Sequence, residues 1–340
     1  MKPAASPKLA PFLQGVRIGN ALRHKQLALL PLAGGAPSPL DYILAADAIA
    51  TGLLTITEVS EGGSVPELLV SSSADKLTLL IDGEELVGAK QNRILNTSVL
   101  LPAGVKTCIP VSCVEQGRWR FAARHFQAGG YAPSRLRAIK NRSVGRSLRE
   151  QGRPTSDQGA VWNEIACQMA DLKACSPTGA MHAAFEQHRD SIEEYTNALP
   201  CPADARGVLV AVGGRFVALD LFDRPATLGR IWPRLVTGYA LDALAETEPA
   251  SEEYSADSGR VLLEQITSAA CTVCPTVGLG EDWRFEAETT FGQALIVEGV
   301  CVHLSAFPGA AEGRGARTEG RILPPSARRR RTRRPEEGEE

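Results

Sequence analysis

The sequence predicts an α+β fold: a mostly antiparallel sheet built from β-hairpins, with a central helical segment packed on it. Three observations carry this. Between Thr55 and Val114 short apolar or alternating runs follow one another, broken by Gly, Pro or Asp-Gly. From Ser156 to Leu199 the apolar spacing becomes helical, and strand-like runs return after Gly207. The chain has 340 residues, 44% hydrophobic and 22% charged. That is enough to bury a core, and it excludes collagen-like, coiled-coil and wholly disordered classes.

Element by element, Met1 to Ala10 holds Pro3 and Pro7 and reads as a flexible start covering residues 1–11. Leu27 to Leu32 reads as a strand, and Pro39 to Ala50 as a helix opened by Ser38 and stopped by Gly52. Strands follow at Thr55–Glu58, Val65–Ser72, Leu77–Ile81, Glu85–Ala89, Ile94–Leu101 and Lys106–Val114. Asp82-Gly83 is the strongest hairpin signal among them. Gln116 to Arg153 lacks a clear period and carries ten positive charges against one acid, Glu150. Ser156 or Asp157 caps a helix running to Asp171, and Ala180 to Leu199 is amphipathic. Gly207 to Leu221 is a hairpin turning at Gly213-Gly214, with helices at Ala226–Glu246 and Arg260–Ala269. The last elements are Arg284–Thr290 and a hairpin at Glu298-Gly299. LLIDGEELVGA, LVAVGGRFVAL and ALIVEGVCVHL share a strand, x-Gly turn, strand form, which any tight hairpin requires and which need not record a duplication.

Residues 12–307 are therefore expected as one α+β domain, the alternative being two hairpin-containing halves around a basic and helical insert at 116–199. From residue 308 the chain turns Gly-, Arg-, Pro- and Glu-rich and reads as a disordered tail. The tail holds nine Arg and six Glu from Glu312 onward, a surplus of three positive charges, so a net charge of −2 leaves −5 for the body. No apolar run suits a signal peptide, and none reaches the ~20 residues of a membrane span. Eight cysteines scattered through a chain of this size fit reduced thiols, so a cytoplasmic protein without membrane contact is expected. Aromatic residues are 5%, which disfavours a base-stacking platform for single strands.

Three segments break the apolar pattern where chemistry would. In the first, Lys90, Gln91, Asn92 and Arg93 follow Asp82-Gly83-Glu84 and make both faces of an extended chain polar. The bland alternative is an edge guarded by charge. The second runs through Cys113, Glu115, Arg118 and Trp119. Here Glu115 serves as a general acid or base if burial raises its pKa, or as half of a structural ion pair with Arg118. A buried, inert Cys113 is the plain reading of that thiol. In the third, Ser156, Asp157 and Gln158 open a helix, either as a cap or as a cradle for an anion beside the basic stretch. Cys271 and Cys274 lack a second pair, the five His show no ligand spacing, and no phosphate-binding glycine motif or serine elbow is present. No cofactor is called for, although a divalent metal held by Asp and Glu would leave no spacing signature.

Taken together, LLIDGEELVGAKQNRIL, IPVSCVEQGRW, the basic stretch with SLRE, and SDQGAVWNEI resemble the family named for its association with ADP-ribosylglycohydrolases and rhodanese-phosphatase-superfamily proteins. The resemblance spans roughly Phe12 to Phe307. It implies, by association, the processing of ADP-ribose or related NAD-derived nucleotides, and assigns no residue a catalytic role. On this reading Lys90, Arg93 and Arg118 hold phosphates, Gln91 and Asn92 read ribose or base, Trp119 stacks, and Ser156, Asp157 and Gln158 complete the ligand site. Whether the chain is an enzyme stays open: if so, Glu84 or Glu115 serves glycosidic or phosphoester hydrolysis. The competing reading is a non-enzymatic sensor or adaptor whose segment 116–153 docks RNA or a protein partner.

Overall fold

A computed structural model describes residues 8–35, 38–247 and 254–309. Contacts divide the chain into two units, Met1–Pro308 and Gly309–Glu340. The tail expected to be disordered thus lies, beyond Gly309, outside the described residues. The described part is α+β, with eight helices and eighteen strands.

Nine strands form the largest sheet, antiparallel throughout, with Leu27–Ala33, Ala205–Val212, Arg215–Phe222, Val300–Pro308 and Thr290–Val297 as adjacent central strands. Their side chains alternate between two buried faces, which is why the strands read as unbroken apolar runs. Leu29, Val208, Val210 and Val302 join Trp232, Val236 and Tyr239 of the Pro225–Ala245 helix. Leu30, Leu209, Leu219 and Leu304 join Leu9 and Leu13 at one end of the chain, and Leu262 and Ile266 of the Ala256–Ser268 helix. A six-stranded sheet holds Phe126–Tyr131, Glu84–Gly88, Arg93–Leu95, Lys106–Cys113, Glu67–Ser72 and Leu54–Glu58 in that order. A three-stranded sheet of Val99–Leu101, Leu77–Leu80 and Tyr42–Leu44 shares its core.

Hairpins form at two of the three similar segments, turning at Gly213-Gly214 and Glu298-Gly299. Asp82-Gly83 is a correction. Its flanking strands Leu77–Leu80 and Glu84–Gly88 do not pair with each other but enter different sheets. The glycine is required for another reason. At φ +83° it sits against Arg137, and a Cβ there would lie 2.8 Å from the arginine's Cδ.

Other boundaries moved as well. Pro39–Ala50 splits into the Tyr42–Leu44 strand and the Ala45–Ala50 helix, and Ile94–Leu101 is broken where Asn96 and Ser98 turn their side chains to Pro154, Asp82 and His303. Ala180–Leu199 is two helices, His182–Gln187 and Arg189–Ala198. Cys271–Pro275 is a strand absent from the sequence expectation. The flexible start expected over 1–11 does not hold for residues 8–11, because Lys8 bridges Ala270, Leu9 is buried and Ala10–Leu13 is helical. Residues 1–7 lie outside the described residues.

The largest correction concerns 116–153. It is not a free basic stretch but contains the Phe126–Tyr131 strand and the 18-residue Ser134–Gln151 helix. Arg137 and Lys140 of that helix are fully buried. Arg137 grips Asp220 with two hydrogen bonds, Nη1 to Oδ2 at 2.8 Å and Nη2 to Oδ1 at 2.5 Å. Lys140 pairs with Asp82 and donates to the Leu95 carbonyl at 2.7 Å. Tyr239 donates to Asp220, and His303 lies between Asp220, at 3.2 Å, and Ser98, at 2.7 Å. Burial pushes the Asp220 carboxyl up, but Arg137 and His303 outweigh it and hold it well below the usual carboxylate range. Burial draws the Lys140 ammonium down to about 8 against the pull of Asp82.

Removing one partner of a buried charge pair strands the other, so Asp220→Ala is expected to cost about 3–5 kcal/mol in urea unfolding. Gly83→Ala should destabilise too, through the clash with Arg137. Wild-type stability in either variant would show that the network does not hold the sheets together.

Candidate functional site

The antiparallel strands Glu84–Gly88 and Arg93–Leu95 form a hairpin whose loop, residues 89–92, is the polar cluster. The loop is buried, not a charged edge: Lys90, Gln91, Asn92 and Arg93 are each less than a tenth exposed. Ala89 takes a left-handed φ of +39°, costly for a residue with a Cβ. Arg118 clamps this bend, donating from Nη1 to the Ala89 carbonyl at 2.6 Å and from Nη2 to the Gly88 carbonyl at 3.2 Å.

The second segment meets the first at Glu115. Its carboxylate accepts from Arg118 Nε at 2.9 Å and Nη2 at 2.6 Å, from the Asn92 backbone N–H at 3.1 Å and from the Thr178 hydroxyl at 2.8 Å. Burial pushes the Glu115 carboxyl up, yet these donors outweigh it and hold the group below its ordinary value. The condition set for a general acid, a pKa raised by burial, is therefore not met, and of the two alternatives the ion pair with Arg118 is the one present. Gln91 donates to the Glu115 carbonyl at 2.8 Å and accepts from Arg93 at 3.0 Å and from the Cys113 thiol at 3.2 Å. Burial pushes that thiol up, away from the thiolate form a nucleophile needs.

Ser156 and Gln158 also arrive here, facing the protein, with the exposed Asp157 between them. Gln158 binds both backbone groups of Cys113, at 2.9 and 2.8 Å, and Ser156 meets the Ser112 hydroxyl at 2.5 Å. Asp157 caps the Gln158–Asp171 helix through the Ala160 N–H at 3.0 Å. Of the two alternatives the sequence left open, these contacts form the cap, with Ser156 and Gln158 docking on the Ser112–Cys113 strand end.

Glu84 stands apart. It accepts from the Ile81 N–H at 2.8 Å and from Arg234 at 2.8 Å, and among the described residues no hydrogen bond or ion pair joins it to Glu115 or to residues 90–93. Its neighbour Glu85, fully buried, meets Nδ1 of His182 at 2.8 Å. That hydrogen bond raises the His182 pKa against the opposing effect of burial. Ala180, two residues before His182, bridges Glu115. Sequence spacing held no sign of this pair, because the partners are 97 positions apart.

On the other side of the loop the arrangement opens. Lys90 Nζ lies 5.3 Å from the Trp119 ring centre and 5.1 Å from that of Phe121, donating to the Gly62 carbonyl at 2.9 Å. Glu58 and Arg93 face each other at 3.9 Å; Oε2 of Glu58, with Nε and Nη2 of Arg93, has no hydrogen-bond partner among the described residues. Trp119 and Phe121 are both 48% exposed. Beside them is a cavity of about 720 Å³ lined by Thr57, Glu58, Ser60, Glu61, Phe121, Arg124 and His125. Glu58, Phe121 and Arg124 escaped the sequence reading; the alternation of aromatic and basic residues in WRFAARH was a signal for Phe121 and Arg124, and Glu58 had none. Among the described residues no group of three or more His, Cys, Asp or Glu is placed to hold a metal ion, and no helix is long and apolar enough to cross a membrane.

Two variants test these assignments by stability. Glu115→Gln leaves Arg118 without its carboxylate and is expected to cost about 1.5–3 kcal/mol at pH 7. Because the Glu115 pKa is lowered on folding, that difference should shrink as pH falls below its unfolded value. His182→Gln should behave oppositely: its pKa is raised on folding, so the loss is full below about pH 6.5 and fades as pH rises through the folded value. Urea unfolding of both variants between pH 4 and 9 reads both trends, and pH-independent losses would remove the ionic basis of each pair.

Comparison with curated proteins finds no match to this chain, and comparison with solved structures finds none either. The model of one family matches residues 15–307, nearly the whole described part. The chain thus belongs to the ARG and Rhodanese-Phosphatase-superfamily-associated Protein domain family.

Proposed function

We propose that the protein binds a nucleotide-type ligand, of the ADP-ribose or NAD-derived class, in the cavity beside Trp119 and Phe121. The observation that carries this reading is an exposed ring and a cation in one cavity wall, Phe121 and Arg124, with Lys90 and a second half-exposed ring, Trp119, adjoining Phe121. Aromatic faces stack on bases, and a guanidinium grips phosphate with two bonds. Glu58 and Glu61 in the same wall suit ribose hydroxyls as acceptors. The family's name, which joins it to ADP-ribosylglycohydrolases, points the same way only by association.

The roles expected from sequence shift on this reading. Trp119 keeps its stacking role and Lys90 its place under the ligand, while Gln91, Asn92, Arg93 and Arg118 form the rigid floor. Hydrolysis of the ligand receives less support, since Glu84 and Glu115 are both saturated by internal donors. The adaptor reading keeps fewer cations than the sequence count offered. Of the ten in 116–153, Arg118, Arg137 and Lys140 are spent inside, and Arg135 is tied to Glu164 and Asp171. The eight free thiols support a reducing compartment such as the cytoplasm.

Calorimetric titration of the full chain with ADP-ribose, NAD and AMP tests the reading. Saturable binding of at least one is expected, with Phe121→Ala and Arg124→Ala each weakening it at least tenfold and leaving the unfolding midpoint of the free protein unchanged. At 100 times its dissociation constant such a ligand adds about 2.7 kcal/mol to stability. No binding, or binding indifferent to both variants, would overturn it; binding of short RNA alone, falling steeply with salt, would favour the adaptor.

A further inference from the structure

A second cavity, of about 440 Å³, opens where strands of the nine-stranded sheet end, against the Ala10–Leu13 helix. Its walls include Arg17, Arg206, Asp223 and the first residues of the Val300–Pro308 strand. None of these belongs to the nucleotide cavity, so the two sites stand or fall separately.

Two features distinguish it from a surface crevice. The first is its supply of unused polar atoms. Arg206 is only 7% exposed; its Nη2 donates to the Phe12 carbonyl at 3.2 Å, but its Nε has no hydrogen-bond partner among the described residues. Asp223 is 2% exposed, with one oxygen taken by Tyr42. The other, Oδ2, has the Arg224 guanidinium at 3.3 Å but no hydrogen bond. Buried donors and acceptors are ordinarily satisfied, so a guanidinium N–H and a carboxylate oxygen at one cavity, both without a hydrogen bond among the described residues, call for an outside partner. The second feature is a backbone fitted to the arginines. Gly34 and Gly35, at φ +90° and +94°, pass so close that a Cβ on Gly35 would sit 2.4 Å from the Arg206 guanidinium carbon, and one on Gly34 3.3 Å from Nη1 of Arg17.

We propose that this cavity binds a small phosphate monoester that also carries hydroxyl groups, a sugar phosphate in size and chemistry, with Arg17 and Arg206 taking the phosphate and Asp223 a hydroxyl. Two guanidinium groups match the charge and fork geometry of a phosphate. A carboxylate oxygen without a hydrogen bond accepts from a hydroxyl, and its charge disfavours a second anion. The volume lies within the range of small-molecule sites, about 300–1,000 Å³.

Titration of the full chain with ribose 5-phosphate, inorganic phosphate and ribose tests the assignment. Ribose 5-phosphate should bind at least tenfold more tightly than either of the others. Arg17→Gln, at an exposed rim position where folding is not at stake, should weaken it at least fivefold. Asp223→Asn should reduce the preference over inorganic phosphate, and Phe121→Ala should leave both untouched. Equal affinity for ribose 5-phosphate and inorganic phosphate, wild-type binding by Arg17→Gln, or loss of binding in Phe121→Ala would each overturn the proposal. If Asp223→Asn does not fold, Arg17→Gln decides alone.

Discussion

The fold depends on a salt-bridged network sealed from water at the junction of its three sheets. Asp220 belongs to the nine-stranded sheet, Asp82 to the turn between the three- and six-stranded sheets, and Arg137 and Lys140 to the helix that lies across them. Arg137 touches both carboxylates, with Nε 3.7 Å from Asp82 and Nη2 2.5 Å from Asp220. Such a network adds little net stability over apolar packing, because desolvating four charges offsets most of their attraction. Its effect is on position: apolar sheets slide over one another at small cost, whereas a bidentate pair has one geometry.

The site inherits its rigidity from that junction. The Asp82-Gly83 turn leads directly into Glu84–Gly88, the first strand of the polar hairpin, so the network sets where residues 89–92 begin. From there Glu115, Arg118 and Gln91 carry the ordering to Trp119, and Gln158 ties the whole to the next helix. Two layers result. The inner one is saturated and holds a strained bend at Ala89; the outer one sets Phe121 and Arg124 in a cavity wall with Trp119 and Lys90 alongside. Binding groups placed on such a floor lose little freedom when a ligand arrives, which lowers the entropic cost of association.

Much of this was legible residue by residue. The polar run at Lys90 to Arg93 stood out because no sheet places four such residues inside apolar sequence without reason, and the three segments singled out do converge. Their direction was not legible. Glu115 and Ser156 look alike as an open site or as an internal brace, and the difference lies in partners such as Thr178 and Ser112, tens of positions away. The Arg-rich stretch misled for a related reason: charge count does not record burial, and Arg137 and Lys140 are inside while Arg120 and Arg124 are outside.

What the sequence by itself determined was the local order: hairpins where Gly-Gly and Glu-Gly permit left-handed turns, helices where caps and period agree, and a class of fold that follows from their succession. These are set by φ/ψ preference and by apolar spacing, which act over a few residues. The tertiary structure alone decided which strands share a sheet, that Asp82-Gly83 serves an arginine instead of a hairpin, and that His182 meets Glu85. Each of these rests on contacts between residues distant in the chain, where the free energy comes from desolvation and charge pairing that no short window of sequence contains.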